Sequence, residues 1–310
     1  MIGFGARFPE MPIDPGAVRA FAQTVEALGF DHITHFDHIA GMSDRTRPHW
    51  KAPYTYERPW GETLTMISFM AAATTTVEFM STVLVLPLRQ TALVAKQVGT
   101  MAVLYDGRLR LGVGKGWNDI EYEMMKADFE HRDAVMYEQI EILRRLWSQD
   151  VVSYRGEHHR VRAVGMSPLP ARPIPVWMAP SIRPTRKILA KVAAVADGIL
   201  PLWKPNDEAA AHLEMFREEL RAVGREPTSV GLEPKIDLGV SDSPLLAHGP
   251  EALPSKSDEE LAAEIVAWRD LGATHIDFKT SDCGLRTVDE HLGAMERFIK
   301  VGAAVTAERR

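Results

Sequence analysis

The chain has 310 residues, of which 45% are hydrophobic and 25% are charged, and its formal net charge at pH 7 is −6. This composition is ordinary for a globular enzyme, and the negative charge argues against a nucleic-acid-binding groove, so we expect no nucleic-acid partner. Cys283 is the only cysteine, which excludes an internal disulfide and favours a reducing compartment.

The first half of the chain alternates between strand-like and helix-like patterns. Its opening residues, MIGFGARFPEM, lack a basic region and a long apolar core, so we expect no signal peptide and a cytoplasmic protein. Asp14, Pro15 and Gly29 suit the N-cap, first turn and C-cap of the first helix. Strands are predicted at 2–8, 32–38, 77–87 and 108–114, and helices at 14–30, 62–76, 91–105 and 133–147.

Residues 151–175 interrupt this alternation. They begin with VVSYRGEHHRV and continue through Pro168, Pro170, Pro173 and Pro175. The pattern predicts a small hairpin and an extended connector, inserted between the fourth helix and the fifth strand. The longest apolar runs, such as VLVLPL in the third strand, are too short to span a bilayer, so no membrane association is expected.

The alternation then resumes to the end of the chain. Strands are predicted at 176–180, 197–202, 229–240 and 274–280, and helices at 184–196, 207–224, 257–272 and 288–302. Strands separated by helices require parallel crossovers, and eight such units can close on themselves. We therefore predict a single α/β domain over residues 1–310, folded as a (β/α)8 TIM barrel. A doubly wound open sheet is the alternative.

The carboxyl end of the second strand carries two adjacent polar residues, Asp37 and His38. Chemistry in a barrel lies at the carboxyl ends of the strands, and a neighbouring carboxylate can hold or tune an imidazole. The pair is therefore a candidate general acid and base. The alternative is that Asp37 caps a turn and that His38 is a surface histidine.

The same stretch, DHITHFDH, also contains the residue types of a metal site. Alternation along a strand places His32 and His38 on one face and His35 and Asp37 on the other, so a His-x-His pair on a single face is missing. We predict no metal.

Three other features bear on a ligand. Arg183, Arg186 and Lys187 open the helix after the fifth strand, where a helix N-terminus favours a phosphate or carboxylate, although a solvated basic face is the alternative. Glycines in a strand interior mark a bulge or a point where something approaches the backbone closely, and Gly112, Gly114 and Gly116 alternate at the end of the fourth strand. The aromatic residues that can line a pocket for a flat ring are Trp50, Tyr54, Tyr56, Trp60, Trp117, Trp177 and Trp203.

These stretches resemble the bacterial-luciferase-like superfamily of flavin- and deazaflavin-dependent oxidoreductases. The resemblance is carried by GFDHITHFDHI, by the long block from VEFMSTVLVLPLRQ to LRLGVGKGWNDIEYE, by HRDAVMYEQIEILRRLW, and by PIPVWMAPS and VADGILP. The pattern is most similar to the branch that uses coenzyme F420, a 5-deazaflavin with an anionic tail, and FMN is the alternative cofactor. The resemblance also implies a homodimer.

The resemblance implies a role for each matching position. His38 is the proton donor or acceptor, and Asp37 lies beside the ring with it. Thr82 and Val83 form a non-prolyl cis peptide that supports the ring. The remaining cofactor-binding positions are Gly114, Lys115 and Gly116, whose glycines let the backbone approach the ring, with Trp117 directly after them, and Ala179, Pro180 and Ser181 in the phosphate turn. Arg183 and Lys187 are added to these from the basic cluster described above.

One departure from the family pattern bears on the substrate. The sugar-phosphate dehydrogenases of this superfamily carry a glutamate directly after the second glycine of the Gly-x-Gly, where this chain has Trp117. Their catalytic acid is therefore expected to be missing, which argues against glucose 6-phosphate. The family also usually has a glycine-rich turn after the fifth strand, where this chain has Ala179, Pro180 and Ser181.

Three functions follow from these observations. The first is an F420-dependent oxidoreductase that transfers a hydride between the deazaflavin and a small organic substrate. The second is an FMN-dependent luciferase-like monooxygenase. The third is a barrel that binds the cofactor without catalysis.

Overall fold

The computed structural model describes residues 2–43, 54–240 and 252–307. Its strands are β1 (Gly3–Arg7), β2 (His32–His35), β3 (Glu78–Ser81), β4 (Leu84–Val85), β5 (Leu109–Gly114), β6 (Val152–Arg155), β7 (Arg160–Val164), β8 (Val176–Met178), β9 (Gly198–Ile199), β10 (Gly231–Leu232), β11 (Lys235–Asp237) and β12 (His275–Lys279). Its α-helices are α1 (Pro15–Ala27), α2 (Thr63–Ala71), α3 (Thr91–Leu104), α4 (Asp119–Met125), α5 (Arg132–Leu146), α6 (Arg186–Val195), α7 (Asp207–Ala222), α8 (Asp258–Asp270) and α9 (Val288–Ala307). Within these ranges, no helix combines the length and apolar character needed to cross a membrane.

The main sheet is parallel, and its strands follow the order β10-β9-β8-β5-β3-β2-β1-β12-β11. Its two ends, β10 and β11, are consecutive in the chain and are separated by Glu233 and Pro234. The seventh predicted strand is therefore divided, because β10 pairs with β9 and β11 pairs with β12. This order is consistent with that of a (β/α)8 barrel and not with that of a doubly wound open sheet.

The helix ends follow the capping signals in the sequence. Asp14 caps α1 by accepting a hydrogen bond from the Ala17 amide at 2.8 Å, and Gly29, which follows the helix, has a positive φ of 84°. Ser257 and Glu260 form a reciprocal capping box at the start of α8.

The third predicted strand, at 77–87, is broken in the structure. It ends at Ser81, the peptide bond between Thr82 and Val83 is cis, and the chain pairs again as β4 before a 3-10 turn at Leu86–Leu88. The cis bond is the one that the family resemblance predicts. The second predicted strand also differs, because it ends at His35, so that Asp37 and His38 lie in the loop beyond it.

Residues 151–175 contain an antiparallel pair, β6 and β7, which forms a separate two-stranded sheet. Its turn is held by Glu138 of α5, which accepts hydrogen bonds from the amides of Glu157 and His158 and contacts the His159 ring at 3.0 Å. The hairpin is thereby fixed to the outer layer of helices.

A tryptophan fills the sheet interior. Trp177 is 5% exposed, and the Arg110 guanidinium lies 4.8 Å from the centre of its ring. A Cβ atom added to Gly198 would lie 2.2 Å from this ring, and one added to Gly231 would lie 2.1 Å from it. β9 and β10 therefore need glycine at these positions so that the indole can fit.

Polar side chains share this interior. Glu233 is buried between the His32 ring at 2.7 Å and the Arg110 guanidinium at 2.9 Å. Burial raises the pKa of Glu233, but the charges of His32 and Arg110 outweigh burial and lower it to about 2. Glu233 is therefore a fixed carboxylate at neutral pH.

We expect Gly198→Ala to lower the free energy of unfolding by about 1–3 kcal/mol, because the added methyl group overlaps the Trp177 ring. Urea unfolding followed by circular dichroism measures the change. Gly293→Ala is the matched control. It lies within α9, where an added Cβ meets nothing within 4 Å, so we expect it to stabilise the protein by roughly 0.5–1 kcal/mol. Equal stability of Gly198→Ala and the wild type would contradict this account of the core.

Candidate active site

A cavity of about 80 Å³ opens at the carboxyl edge of the main sheet. This is the edge at which enzymes with parallel barrels place their chemistry. Three of the predicted cofactor-binding residues line it, namely Thr82, Val83 and Ala179. The other lining residues are Arg7, Leu200, Pro201, Leu202, Glu233, Lys235 and Asp277.

The cis segment forms one wall of this cavity. The Thr82 amide donates a hydrogen bond to the His35 carbonyl at 2.8 Å, which attaches the segment to the end of β2. The Thr82 Oγ1 atom is buried and has no hydrogen-bond partner among the described residues. A buried hydroxyl without a partner at a cavity wall is a natural contact for a bound ligand.

The glycines at the end of β5 allow close packing within the protein. A Cβ at Gly112 would lie 2.0 Å from the Ser81 carbonyl oxygen, and one at Gly114 would lie 2.5 Å from a Val83 methyl group. A Cβ at Gly116, whose φ is +67°, would lie 2.5 Å from Val85. The atoms that exclude a side chain at these positions thus belong to the protein itself. The glycines let β5 pack against the cis segment, and the approach of their backbone to a cofactor ring stays a prediction.

His38 is buried in the loop after β2 and is anchored by a carboxylate. Its Nδ1 atom lies 3.0 Å from Oε2 of Glu121 in the first turn of α4. The other oxygen of Glu121 accepts hydrogen bonds from the amides of Ile39 and Ala40 at 2.5 and 3.2 Å. Burial raises the pKa of Glu121, but the hydrogen bond and charge of His38, together with these amides, outweigh it, and the net shift is downward. The carboxylate fixes the ring and leaves Nε2 as the nitrogen that can exchange a proton with a ligand.

Sequence reasoning missed Glu121. The glutamate expected to be missing is the one at the position of Trp117, whereas Glu121, four residues beyond Trp117, supplies another carboxylate that contacts His38. The available signal was Asn118, an N-cap residue whose side chain accepts a hydrogen bond from the Ile120 amide. A helix that starts directly after a barrel strand holds the acidic residues of its first turn near the strand ends.

Aromatic side chains surround His38. The centre of the His38 ring lies 4.1 Å from that of Tyr54 and 5.7 Å from that of Trp117. The backbone carbonyl of His38 accepts a hydrogen bond from the indole N–H of Trp60 at 3.1 Å. Trp117 is 41% exposed and is therefore the face of this group that a ligand can reach.

The remaining aromatic residues of the prediction lie elsewhere. Tyr56 is 53% exposed, Trp177 lies in the sheet interior, and Trp203 donates a hydrogen bond to the Ser181 carbonyl at 3.3 Å. Trp50 lies outside the described residues.

Asp37 does not contact the His38 imidazole, contrary to the predicted acid–base pair. Its carboxylate lies 2.6 Å from Arg89 and accepts a hydrogen bond from the Val85 amide at 3.0 Å. Burial raises the pKa of Asp37, and the Arg89 guanidinium opposes this shift only in part. Arg89 also pairs with Glu62 at 2.8 Å. Asp37 therefore ties the loop after β2 to the segment that follows the cis peptide.

The other histidines of DHITHFDH have separate partners. His32 contacts Glu233, whereas His35 Nδ1 lies 2.7 Å from the Phe36 carbonyl and 3.1 Å from the Thr63 hydroxyl. Burial lowers the pKa of His35 to about 4, so it is neutral at pH 7. The four side chains considered as metal ligands are thus directed to four different partners.

The turn after β8 lies beside the end of β5. The Ala179 amide donates a hydrogen bond to the Val113 carbonyl at 3.1 Å, and Pro180 is buried next to it. Arg183 and Lys187 are exposed, whereas Arg186 is engaged with Glu218 and Glu219 at 2.7 and 2.6 Å. Two of the three predicted basic residues therefore remain as candidates for an anionic tail.

Lys115 is half-exposed at the end of β5. Its amine lies 3.5 Å from Asp133, which also pairs with Lys191 of α6 at 2.9 Å. The Tyr122 hydroxyl donates a hydrogen bond to the Lys115 carbonyl. The backbone here is therefore fixed from α4, the helix that also carries Glu121.

Comparison with known proteins identifies the family. The family model for luciferase-like monooxygenases matches residues 3–292. The chain belongs to this family. The resemblance inferred from the sequence is thereby confirmed.

Individual relatives extend this result. An uncharacterized protein of Mycobacterium tuberculosis is 36% identical over 163 residues, which cover 50% of this chain and 56% of that protein, so the match spans little more than half of the relative. An F420-dependent glucose-6-phosphate dehydrogenase of Segniliparus rotundus is 26% identical over 256 residues, which cover 79% of this chain and 71% of that enzyme.

A solved structure is similar over the full length. An F420-dependent secondary alcohol dehydrogenase, in complex with an F420–acetone adduct, superposes with a TM-score of 0.77 at 17% identity, over 98% of this chain and 99% of that chain. At this identity the similarity establishes the fold.

We expect Glu121→Gln to lower the free energy of unfolding by about 1–3 kcal/mol at pH 7, because a buried acceptor of three hydrogen bonds loses its charge. The pKa of Glu121 is lower in the folded protein than in the unfolded chain, so its contribution is complete above the unfolded value, about 4.3, and is lost as the pH falls through the folded value.

The difference in stability between wild type and Glu121→Gln should therefore shrink as the pH is lowered from 6 to about 3, measured by urea unfolding at each pH. Glu123→Gln is the control, since this neighbouring side chain of α4 is exposed. A difference that is independent of pH would contradict the described role of the Glu121 charge.

Proposed function

We propose that this protein is an F420-dependent oxidoreductase that transfers a hydride between the deazaflavin and a small organic substrate, with His38 as the proton donor or acceptor. The observation that carries the proposal is the buried His38–Glu121 pair at the carboxyl edge of the sheet, where Glu121 holds Nδ1 at 3.0 Å. The F420-dependent relatives support the choice of cofactor.

The residues at the cavity fit such a cofactor. Thr82, whose hydroxyl has no partner among the described residues, and Val83 line the cavity beside Ala179, and we assign Thr82 and Val83 to the ring. We assign the backbone of Gly114, Lys115 and Gly116, with Trp117 directly after them, to the ring and its ribityl chain, and the turn of Ala179, Pro180 and Ser181 to the phosphate. The exposed side chains of Arg183 and Lys187 suit the anionic tail. When bound, F420 supplies hydride transfer at C5 of its ring.

His38 and Glu121 together provide the proton chemistry. With Nδ1 held by Glu121, a proton enters or leaves at Nε2, and the carboxylate stabilises the imidazolium that forms when His38 accepts a proton. Asp37 has a positioning role, because its contacts with Arg89 and the Val85 amide fix the loop that carries His38. The aromatic side chains around His38 exclude water from it.

An FMN-dependent luciferase-like monooxygenase is the second candidate. The description of the matching family favours it. The basic residues Arg183 and Lys187 favour the longer and more anionic tail of F420 over that of FMN. We therefore rank F420 first.

The proposed substrate is a small organic molecule. The sequence of this chain places Trp117 where the sugar-phosphate dehydrogenases have a glutamate, but Glu121 supplies a carboxylate to His38 from another position. The glutamate missing from position 117 and the bulk of Trp117 beside His38 both argue against glucose 6-phosphate.

Other features of the protein are part of the same proposal. We propose that the sheet closes into a complete (β/α)8 barrel, that residues 1–310 form one domain, and that the hairpin of β6 and β7 is an insertion in it. The homodimer, the cytoplasmic location and the absence of nucleic-acid and membrane partners stay predictions.

Titration of the purified protein with F420 and with FMN, each in its oxidised and reduced form, tests the cofactor. We expect saturable binding of F420 that is tighter than that of FMN, measured by tryptophan fluorescence and calorimetry. Binding of FMN without affinity for F420 would replace the proposal with the monooxygenase.

The catalytic role is tested with His38→Ala on a panel of alcohols and unsaturated ketones, by following the visible absorbance of the deazaflavin. We expect turnover to fall by about 10²–10⁴-fold, the usual contribution of a general acid or base, while the Kd of F420 changes little. His131→Ala is the control, since this histidine is exposed and pairs with Asp128 on the surface. F420 binding without turnover in the wild type would favour a non-catalytic binding protein.

A further inference from the structure

Four charged side chains line the cavity, namely Arg7, Glu233, Lys235 and Asp277. Two of them, Glu233 and Asp277, are held by two groups each. Arg7 donates from two nitrogens to Asp277, which also accepts a hydrogen bond from Thr34 at 2.8 Å. Glu233 lies between His32 and Arg110, as described above. The two carboxylates are therefore committed within the protein, and Arg7 is paired with one of them.

Lys235 is the fourth of these groups, and its situation differs. It belongs to β11, its side chain is 15% exposed, and its amine lies 3.1 Å from Asp237. An ammonium group carries three N–H donors, so an ion pair with one carboxylate leaves donors for a ligand. Thr82, whose buried hydroxyl has no partner among the described residues, lines the same cavity.

We propose that Lys235 and the Thr82 hydroxyl bind the polar pyrimidine edge of the cofactor ring, and that the Lys235 amine favours the reduced form. This inference rests on the function proposed above. The cavity, at about 80 Å³, has roughly the space of two or three water molecules, which suits the carbonyl edge of a ring rather than a whole cofactor.

The charges around Lys235 explain the preference for the reduced form. The pyrimidine edge of an oxidised deazaflavin is neutral, whereas the reduced form is an acid there and readily becomes an anion. A charge-assisted hydrogen bond from a buried amine is stronger to an anion than to a neutral carbonyl. Burial and the neighbouring cations Lys279 and Arg7 lower the pKa of Lys235, and Asp237 opposes this shift. A bound anion compensates for that burial.

The test is the affinity of Lys235→Met for oxidised and reduced F420, measured by anaerobic calorimetry. We expect the Kd of the reduced form to rise by about 10–100-fold, and that of the oxidised form to rise much less. Lys300→Met is the matched control, because this lysine of α9 has a highly exposed side chain, and we expect both affinities to stay at the wild-type values.

Asp237→Asn tests the charge of the Lys235 amine without changing Lys235 itself. It removes the carboxylate that opposes the lowering of the Lys235 pKa, so the amine loses its proton more readily, and we expect weaker binding of the reduced form with little change for the oxidised form. A merely structural role for Lys235 predicts equal changes for the two forms. If Lys235→Met does not fold, as judged by circular dichroism, Lys235→Gln carries the same expectation.

The outcomes separate this inference from the proposed function. If the wild type binds F420 and the variants of Lys235 weaken both forms equally or neither form, the inference on Lys235 is wrong and the proposed function stands. If the wild type binds no form of F420, the proposed function itself fails.

Discussion

A Cβ atom at Gly112 would lie 2.0 Å from the Ser81 carbonyl oxygen, and one at Gly114 would lie 2.5 Å from Val83. These two short distances define how β5 and the cis segment fit together, and the position of the site follows from them. The segment places Thr82 and Val83 in the wall of the cavity, and the chain continues from β5 through Gly116 and Trp117 into α4. The carboxylate that holds His38 therefore depends on backbone packing two strands away.

The carboxylates near the end of β2 divide between two tasks. Asp37 pairs with Arg89 and keeps the loop in place, whereas Glu121 contacts the imidazole itself. A carboxylate adjacent in sequence to a histidine is poorly placed to contact its ring, because neighbouring side chains diverge from the backbone. A residue on a helix that packs over the loop can approach the ring directly. Both carboxylates are buried, and each is balanced by a different cation or donor.

Much of the architecture could be predicted from the sequence, because hydrophobic periodicity and capping residues such as Asp14 and Gly29 are local signals. The order of the strands and the cis peptide at Thr82–Val83 followed from the pattern and the family resemblance. The end of β2 at His35 and the division of the seventh strand did not, since hydrogen bonds to neighbouring strands decide them. Likewise, Glu121 and Lys235 enter the site through tertiary contacts that no spacing in the sequence encodes. The glycines of β5 were recognised as a close approach, but only the structure identifies the chain that approaches.

The division of the seventh strand has a consequence for the dynamics of the site. β10 and β11 each pair with one neighbour, and between them lies Pro234, which has no amide hydrogen to donate. The only donor missing from this segment among the described residues is the amide that Pro234 lacks, so slow amide-exchange openings of the sheet should begin there. Glu233 and Lys235 flank Pro234 and line the cavity, so each such opening would bring water to their charged groups. The fluctuations of one proline-interrupted strand are in this way coupled to the electrostatic environment offered to a ligand.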